Sequence, residues 1–183
     1  TLAAPRYSAS LDAGGLGAMV PRVGLALSSK TLSARIDDGG RFRASGSIAS
    51  GPVALDVSVD GTLAADGTRL QATLTGEQVQ VANLPEAEVL ISPALDFTLA
   101  PGSARLTGSV RVPRARIAPR EFGGGATTPS DDVVVVDGDS TAAEEGLAIT
   151  SDVTIELGSE VRFSARGFNT GITGSLRVQD APD

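Results

Sequence analysis

Between Val53 and Leu63 the chain alternates: Val53, Leu55, Val57, Val59 and Leu63 are aliphatic, and Ala54, Asp56, Ser58, Asp60 and Thr62 stand between them. Successive side chains of a β-strand point to opposite faces, so this period-2 pattern marks a strand with one greasy and one wet face. The same alternation returns at Leu70, Ala72 and Leu74, at Leu95, Phe97 and Leu99, and at Leu106, Val110 and Val112. It continues at Val153, Ile155 and Leu157 and ends at Ile172, Leu176 and Val178. No strong amphipathic helix competes with it. The chain therefore reads as all-β with a long aliphatic surface, to which Val79, Val81, Val89, Ile91, Ile117, Val161 and Phe163 also belong by phase. What covers that surface is the functional question.

Composition narrows the answers. Hydrophobic residues are 41% of the 183 but aromatics only 3%, with no Trp, so the apolar face is a smooth aliphatic wall without stacking platforms. A formal net charge of −7 argues against a nucleic-acid partner, which would need a clustered positive field. The absence of Cys excludes disulfides, thiolate metal sites and cysteine nucleophiles. The absence of His removes the commonest general base, the commonest metal ligand and every Ser-His-Asp arrangement. No cofactor signature is present, and the reading is of a protein that is not an enzyme. No apolar run reaches the roughly 20 residues of a membrane-spanning helix, and no signal peptide opens the chain, which reads as a slice of something longer.

Turn signals divide the chain into short segments. Residues 1–22 read as a weak strand with a loop. Strands are expected at Val23–Leu27, Leu32–Ile36, Arg41–Ile48, Val53–Leu63, Arg69–Val81, Val89–Ile91, Leu95–Leu99 and Ala104–Ile117, then at Leu147–Leu157, Val161–Ala165 and Gly171–Val178. Asp37-Asp38-Gly39-Gly40, Ser50-Gly51-Pro52, Ala65-Asp66-Gly67 and Pro101-Gly102 supply residues that preset φ or tolerate positive φ. The apolar phase slips by one residue around Gly76 and again around Pro113, which predicts bulges or corners there, because an unabsorbed slip would turn every later side chain to the wrong face. Residues 123–146, with the small and acidic stretches that flank a strand at Val133–Val136, read as a mobile excursion.

The remaining polar groups carry little chemistry. Asp56 and Asp60 resemble a glycosidase pair only in being two carboxylates; they lie on the wet face of an alternating strand with no aromatic residue to stack a sugar. Asp131, Asp132, Asp137, Asp139, Glu144 and Glu145 match no calcium-loop spacing and read as a solvated loop. Gly123-Gly124-Gly125 lacks the strand, helix and Lys of a phosphate-binding loop. Arg111, Arg114, Arg116 and Arg120 form a basic run suited to lipid headgroups or an acidic partner, although ordinary solubilising charge on an edge is the stronger reading. A closed β-sandwich would bury the apolar stripe against itself, but with so few aromatic residues and so many strands it is the weaker fold.

Three stretches resemble one family. Leu106-Thr107-Gly108-Ser109-Val110-Arg111-Val112-Pro113-Arg114-Ala115-Arg116-Ile117 is similar to the Leu-x-Gly-x-Val-x-Val-Pro-x-Ala-x-Ile stretch of the TamB family, the inner-membrane-anchored part of the translocation and assembly module. Ser130-Asp131-Asp132-Val133-Val134 resembles its Ser-x-Asp-Val-Val. Val153-x-Ile155-x-Leu157-Gly158, Val161-x-Phe163-x-Ala165-x-Gly167 and Gly174-Ser175-Leu176-Arg177-Val178 follow in the same order. The resemblance implies an elongated U-shaped sheet, a β-taco, with a hydrophobic concave groove open at both ends, in the periplasm of a didermal bacterium. It further implies that 1–183 is one β-taco slice whose groove is lined by the aliphatic residues named above and conducts phospholipid acyl chains between inner and outer membranes. The alternative is a scaffold that assists insertion of outer-membrane β-barrels, with the outer-membrane TamA barrel as partner through segments outside this slice. A dozen stacked strands would give a trough of roughly 55 Å.

Overall fold

A computed structural model describes residues 8–64, 67–119 and 147–180. The excursion at 123–146, its strand Val133–Val136, the acidic residues within it and Arg120 lie outside the described residues. Among the described residues twelve strands form one sheet: β1 (Ala9–Ala13), β2 (Leu16–Val20), β3 (Leu25–Ile36), β4 (Arg41–Ser50), β5 (Val53–Ala64), β6 (Gly67–Gly76), β7 (Val79–Leu84), β8 (Ala87–Ala100), β9 (Ser103–Ile117), β10 (Ala148–Ala165), β11 (Phe168–Gly171) and β12 (Gly174–Asp180). The one helical element among the described residues is a 3-10 turn at Pro21–Val23, closed by Gly24 in the left-handed region.

The sheet is open. Its order runs β1-β3-β4-β5-β6-β8-β9-β10-β11, with β2 beside β3, β7 beside β8 and β12 beside β10. Three pairs of short strands thus share one long neighbour end to end: β1 and β2 on β3, β6 and β7 on β8, β12 and β11 on β10. Twelve strands therefore make a sheet nine wide, about 38 Å across at 4.8 Å per ladder, shorter than a dozen stacked strands would be. All ladders are antiparallel except β9–β10, which is parallel from Ser103↔Ala148 to Ile117↔Phe163.

Several expected boundaries change. The strands expected at Val23–Leu27 and Leu32–Ile36 merge into one, β3, which begins only at Leu25 because Val23 ends the 3-10 turn; Lys30 is an extra residue between Ser29↔Ile48 and Thr31↔Ser47. Val89–Ile91 and Leu95–Leu99 likewise fuse into β8, and Leu147–Leu157 and Val161–Ala165 into β10. Conversely, Arg69–Val81 breaks into β6 and β7, and Gly171–Val178 into β11 and β12. Residues 9–20 form two strands around the Gly14-Gly15 turn rather than one weak strand and a loop. A bulge leaves a strand in its ladder, whereas a turn takes it out, and local alternation does not distinguish the two.

These irregularities fall on one transverse line. It passes through the β1–β2 turn, Lys30, the β6–β7 break, the β8–β9 register shift at Leu90–Ser92, the β9–β10 shift at Leu157–Glu160 opposite Pro113, and the β11–β12 break. The two phase slips seen in the sequence, at Gly76 and Pro113, are two points on it. We call this line the crease; it divides the sheet into a long wall and a short wall. Val79, Pro93, Ala115 and Val161 are buried along it. A Cβ on Gly76 would sit 2.6 Å from Val79 Cγ2 and 3.2 Å from Leu55 Cδ1, so apolar side chains from both walls crowd there. Nearby, the Ser50 hydroxyl donates to the Gln80 carbonyl at 2.5 Å and ties the β4–β5 hairpin to β7.

Candidate functional site

Cross-strand partners share a face, so the register can be read across the sheet row by row. In the long wall one row runs Ile36, Phe42, Gly61, Leu70, Leu99, Ala104, Ile149. The next runs Leu11, Ala34, Ala44, Val59, Ala72, Phe97, Leu106, Ser151. A third runs Leu32, Gly46, Val57, Leu74, Leu95, Gly108, Val153, Val178. Nearest the crease lie Ile48, Leu55 and Gly76, then Pro93, Val110, Ile155 and Leu176, with Val112 opposite Leu157. Leu63 has the phase of Val57 and Val59 and faces Thr68.

Beyond the crease the face continues in the short wall. Val79 stands opposite Ile91, and Val89 opposite Ala115, which pairs with Val161. Ile117 joins Ala87 and Phe163. Val81 is the extra residue of the β7 bulge and has no partner in register; Ile172 lies in the β11–β12 gap, its N–H donating to the Val161 carbonyl at 2.9 Å. Of the residues singled out in the sequence, all but Val81 and Ile172 thus take a place in these rows on one face of the sheet. Among the described residues no large side chain is fully buried, and Phe97, Val178 and Leu176 remain 37%, 43% and 60% exposed. A second sheet packed on this face would have sealed them, so the closed sandwich does not occur.

The other face is the chemical opposite. One of its rows reads Arg35, Arg43, Asp60, Gln71, Thr98, Arg105 and another Ser33, Ser45, Ser58, Thr73, Asp96, Thr107, Asp152. Arg43 pairs with Asp60 at 2.9 Å, so one of the two carboxylates of β5 is held in an exposed cross-strand ion pair. The basic run resolves the same way: Arg111 meets Glu156 at 3.5 Å, Arg114 meets Glu160 at 2.7 Å and Arg116 meets Glu88 at 3.5 Å. Arg177 grips Asp152 with two bonds of 2.7 Å, and these hydrogen bonds hold the Asp152 carboxyl below its ordinary value while raising the guanidinium. Hydroxyls bridge strands between the charges, Ser58 to Thr73 at 2.6 Å and Ser33 to Ser45 at 3.1 Å. Hollows on this face, such as that among Arg41, Arg43, Thr62, Arg69, Gln71 and Thr98, are floored by solvated side chains.

Sequence reasoning missed part of the aliphatic face. Leu11, Leu32, Ala34, Ile36, Phe42, Ala44 and Ile48 extend it through β1, β3 and β4, and Ile149 extends it in β10. The signal was available as alternation in Phe42-Ala44 and Leu32-Ala34-Ile36, but the small residues among them weaken each stretch taken alone.

No helix among the described residues is long and apolar enough to cross a membrane. No solved structure matches the chain. The TamB C-terminal domain family matches residues 29–183. The translocation and assembly module subunit TamB of Haemophilus influenzae is 28% identical over 124 residues, covering 61% of this chain and 9% of that protein. The chain thus spans about a tenth of the length of that curated relative. With the family match covering most of its length and the aliphatic sheet face running through the matched strands, the chain belongs to the TamB family, in the region of its C-terminal domain.

Proposed function

We propose that the aliphatic face carries the acyl chains of phospholipids, as one segment of a longer periplasmic path between the inner and outer membranes that works in the translocation and assembly module with a TamA-like outer-membrane barrel. The observation that carries this reading is the continuity of the face: aliphatic or small residues follow one another from Ala13 on β1 to Val178 on β12, across nine strand positions, and among the described residues no cluster of polar groups stands on it to fix a headgroup. Each buried methylene gains about 0.8 kcal/mol over water, so a diacyl lipid gains on the order of 20 kcal/mol on such a surface. A bilayer offers nearly the same. Transfer between the two is close to neutral, and a surface that binds evenly along its length lets a lipid slide.

The test places charge on one face and then on the other. Leu99→Arg and Ile155→Asp put an unpaired charge on the aliphatic surface, where it either costs several kcal/mol or drags in water. Thr98→Arg and Thr154→Asp, one residue away in each strand, point to the polar face. In the full-length protein, in cells lacking redundant transporters, the first pair should abolish outer-membrane integrity at normal protein level and the second should be silent. Inner-face variants that stay abundant and still support growth would refute the lipid path.

A second reading has its own observation. Among the described residues both edges of the sheet are unpaired, and every residue of β12 is exposed, which suits addition of a β-strand from an incoming outer-membrane protein. Native mass spectrometry of the purified chain separates the two, with co-purified phospholipid for the first and bound peptide for the second.

A further inference from the structure

We propose that the crease is a hinge about which the long and short walls rock, changing the spacing between the two parts of the aliphatic face. A regular ladder is stiff because every residue is tied to both neighbours. Where a strand bulges or breaks, ladder bonds are lost and the backbone can absorb a change of angle. One such defect bends a strand locally. Here the defects of β3, β8, β9 and β10 and the three strand breaks are collinear, so compliance is concentrated on a single axis.

The step count across the axis shows the same thing. Two steps of β8, from Ser92 to Leu90, are matched by three of β9, from Arg111 to Arg114. In the next ladder two steps of β9, from Val112 to Arg114, are matched by three of β10, from Leu157 to Glu160. Unequal path lengths in neighbouring strands make the sheet turn at that level, and the burial of Val79, Ala115 and Val161 places apolar packing inside the turn. Pro113 keeps the centre of the line from healing into a regular ladder, because it has no N–H to donate. Gly158 is fitted against it: a Cβ there would lie 3.0 Å from the Pro113 carbonyl oxygen. The long wall, by contrast, is regular: the β5–β6 ladder runs ten pairs without a shift, while the short wall carries a further bulge at Val81 of β7 and the β4–β5 hairpin crosses the line unbroken for its last two pairs before the turn.

The chain has no Cys, so spin labels can be placed at will. Thr98→Cys with Asn83→Cys sets one label in each wall on the polar face, about 33 Å apart along an extended strand. Ser10→Cys with Thr98→Cys sets both labels in one row of the long wall, five ladders or about 24 Å apart. Pulsed dipolar measurements on the lipid-free chain should give a cross-wall distance distribution roughly twice as wide as the within-wall one. Equal widths would overturn the hinge. Amide hydrogen exchange is an independent check: the amides of Leu90 to Ser92, Arg111, Val112 and Arg114 should exchange at least about tenfold faster than those of Asp96 and Thr107 in mid-wall. Uniform protection along β8 and β9 would refute it equally. Neither readout contains lipid, so a failed hinge leaves the lipid reading standing, and a failed lipid reading leaves the hinge.

Discussion

Replacing Val79 by Ala should be far more costly than the same change at Val178, although both valines lie on the aliphatic face. Val79 is 3% exposed at the crease, where its side chain and that of Leu55 both reach the space over Gly76, whereas Val178 is 43% exposed on edge strand β12. Removing two buried methyl groups forfeits about 1.6 kcal/mol of transfer free energy. The void left between strands that cannot collapse adds to this, giving about 2–3 kcal/mol in all. At Val178 much of the side chain is already in water, and the loss should stay below about 1 kcal/mol. With a urea slope of about 2–3 kcal/mol per molar, Val79→Ala lowers the midpoint by about 1 M and Val178→Ala by less than about 0.5 M. Urea titration followed by far-ultraviolet circular dichroism measures both. Equal shifts, or a Val79 shift below that of Val178, would show that the crease is not where this sheet keeps its packing, and the account of an apolar turn would fail.

Gly108 has φ near 128° in the middle of β9, and a Cβ there would collide with the Ala94 carbonyl oxygen, so Gly108→Ala should cost more than about 3 kcal/mol in the same titration. Gly102→Ala, also at positive φ but in open space, should cost only about 1 kcal/mol. Because the Arg177 hydrogen bonds hold the Asp152 carboxyl below its ordinary 3.8, their contribution is complete above that value and is lost as pH falls through the depressed folded value. Asp152→Asn should therefore flatten the acid limb of the stability curve below about pH 4 and leave a shallower pH dependence, read from thermal midpoints between about pH 2 and 7. Exchanging the partners, as Arg114→Glu with Glu160→Arg, should restore whatever stability either single change removes, since the exposed pair contributes at most about 1 kcal/mol and does so only through complementarity.

The alternation of single residues determined most of this protein before any fold was known. Phase is a local property, so Val57, Leu74, Leu95 and Val153 could be assigned to one face from their own strands, and the register then joined them in one row. Glycine and proline marked most of the turns, and an odd slip of phase marked the crease at Gly76 and Pro113. Where the irregularity leaves the phase unchanged the sequence is mute: Ile91 and Leu95 share a parity, as do Leu157 and Val161, and local signals split β8 and β10 each into a pair of strands although each is continuous. Whether a strand ends or bulges depends on the hydrogen bonds its neighbours offer, and those neighbours lie far away in the chain. For the same reason only the tertiary structure decided that β9 and β10 run parallel and that the arginines of β9 pair with Glu88, Glu156 and Glu160. It alone set the strand defects in one line, because collinearity over seven of the nine strand positions is a property of register, and no single strand contains it.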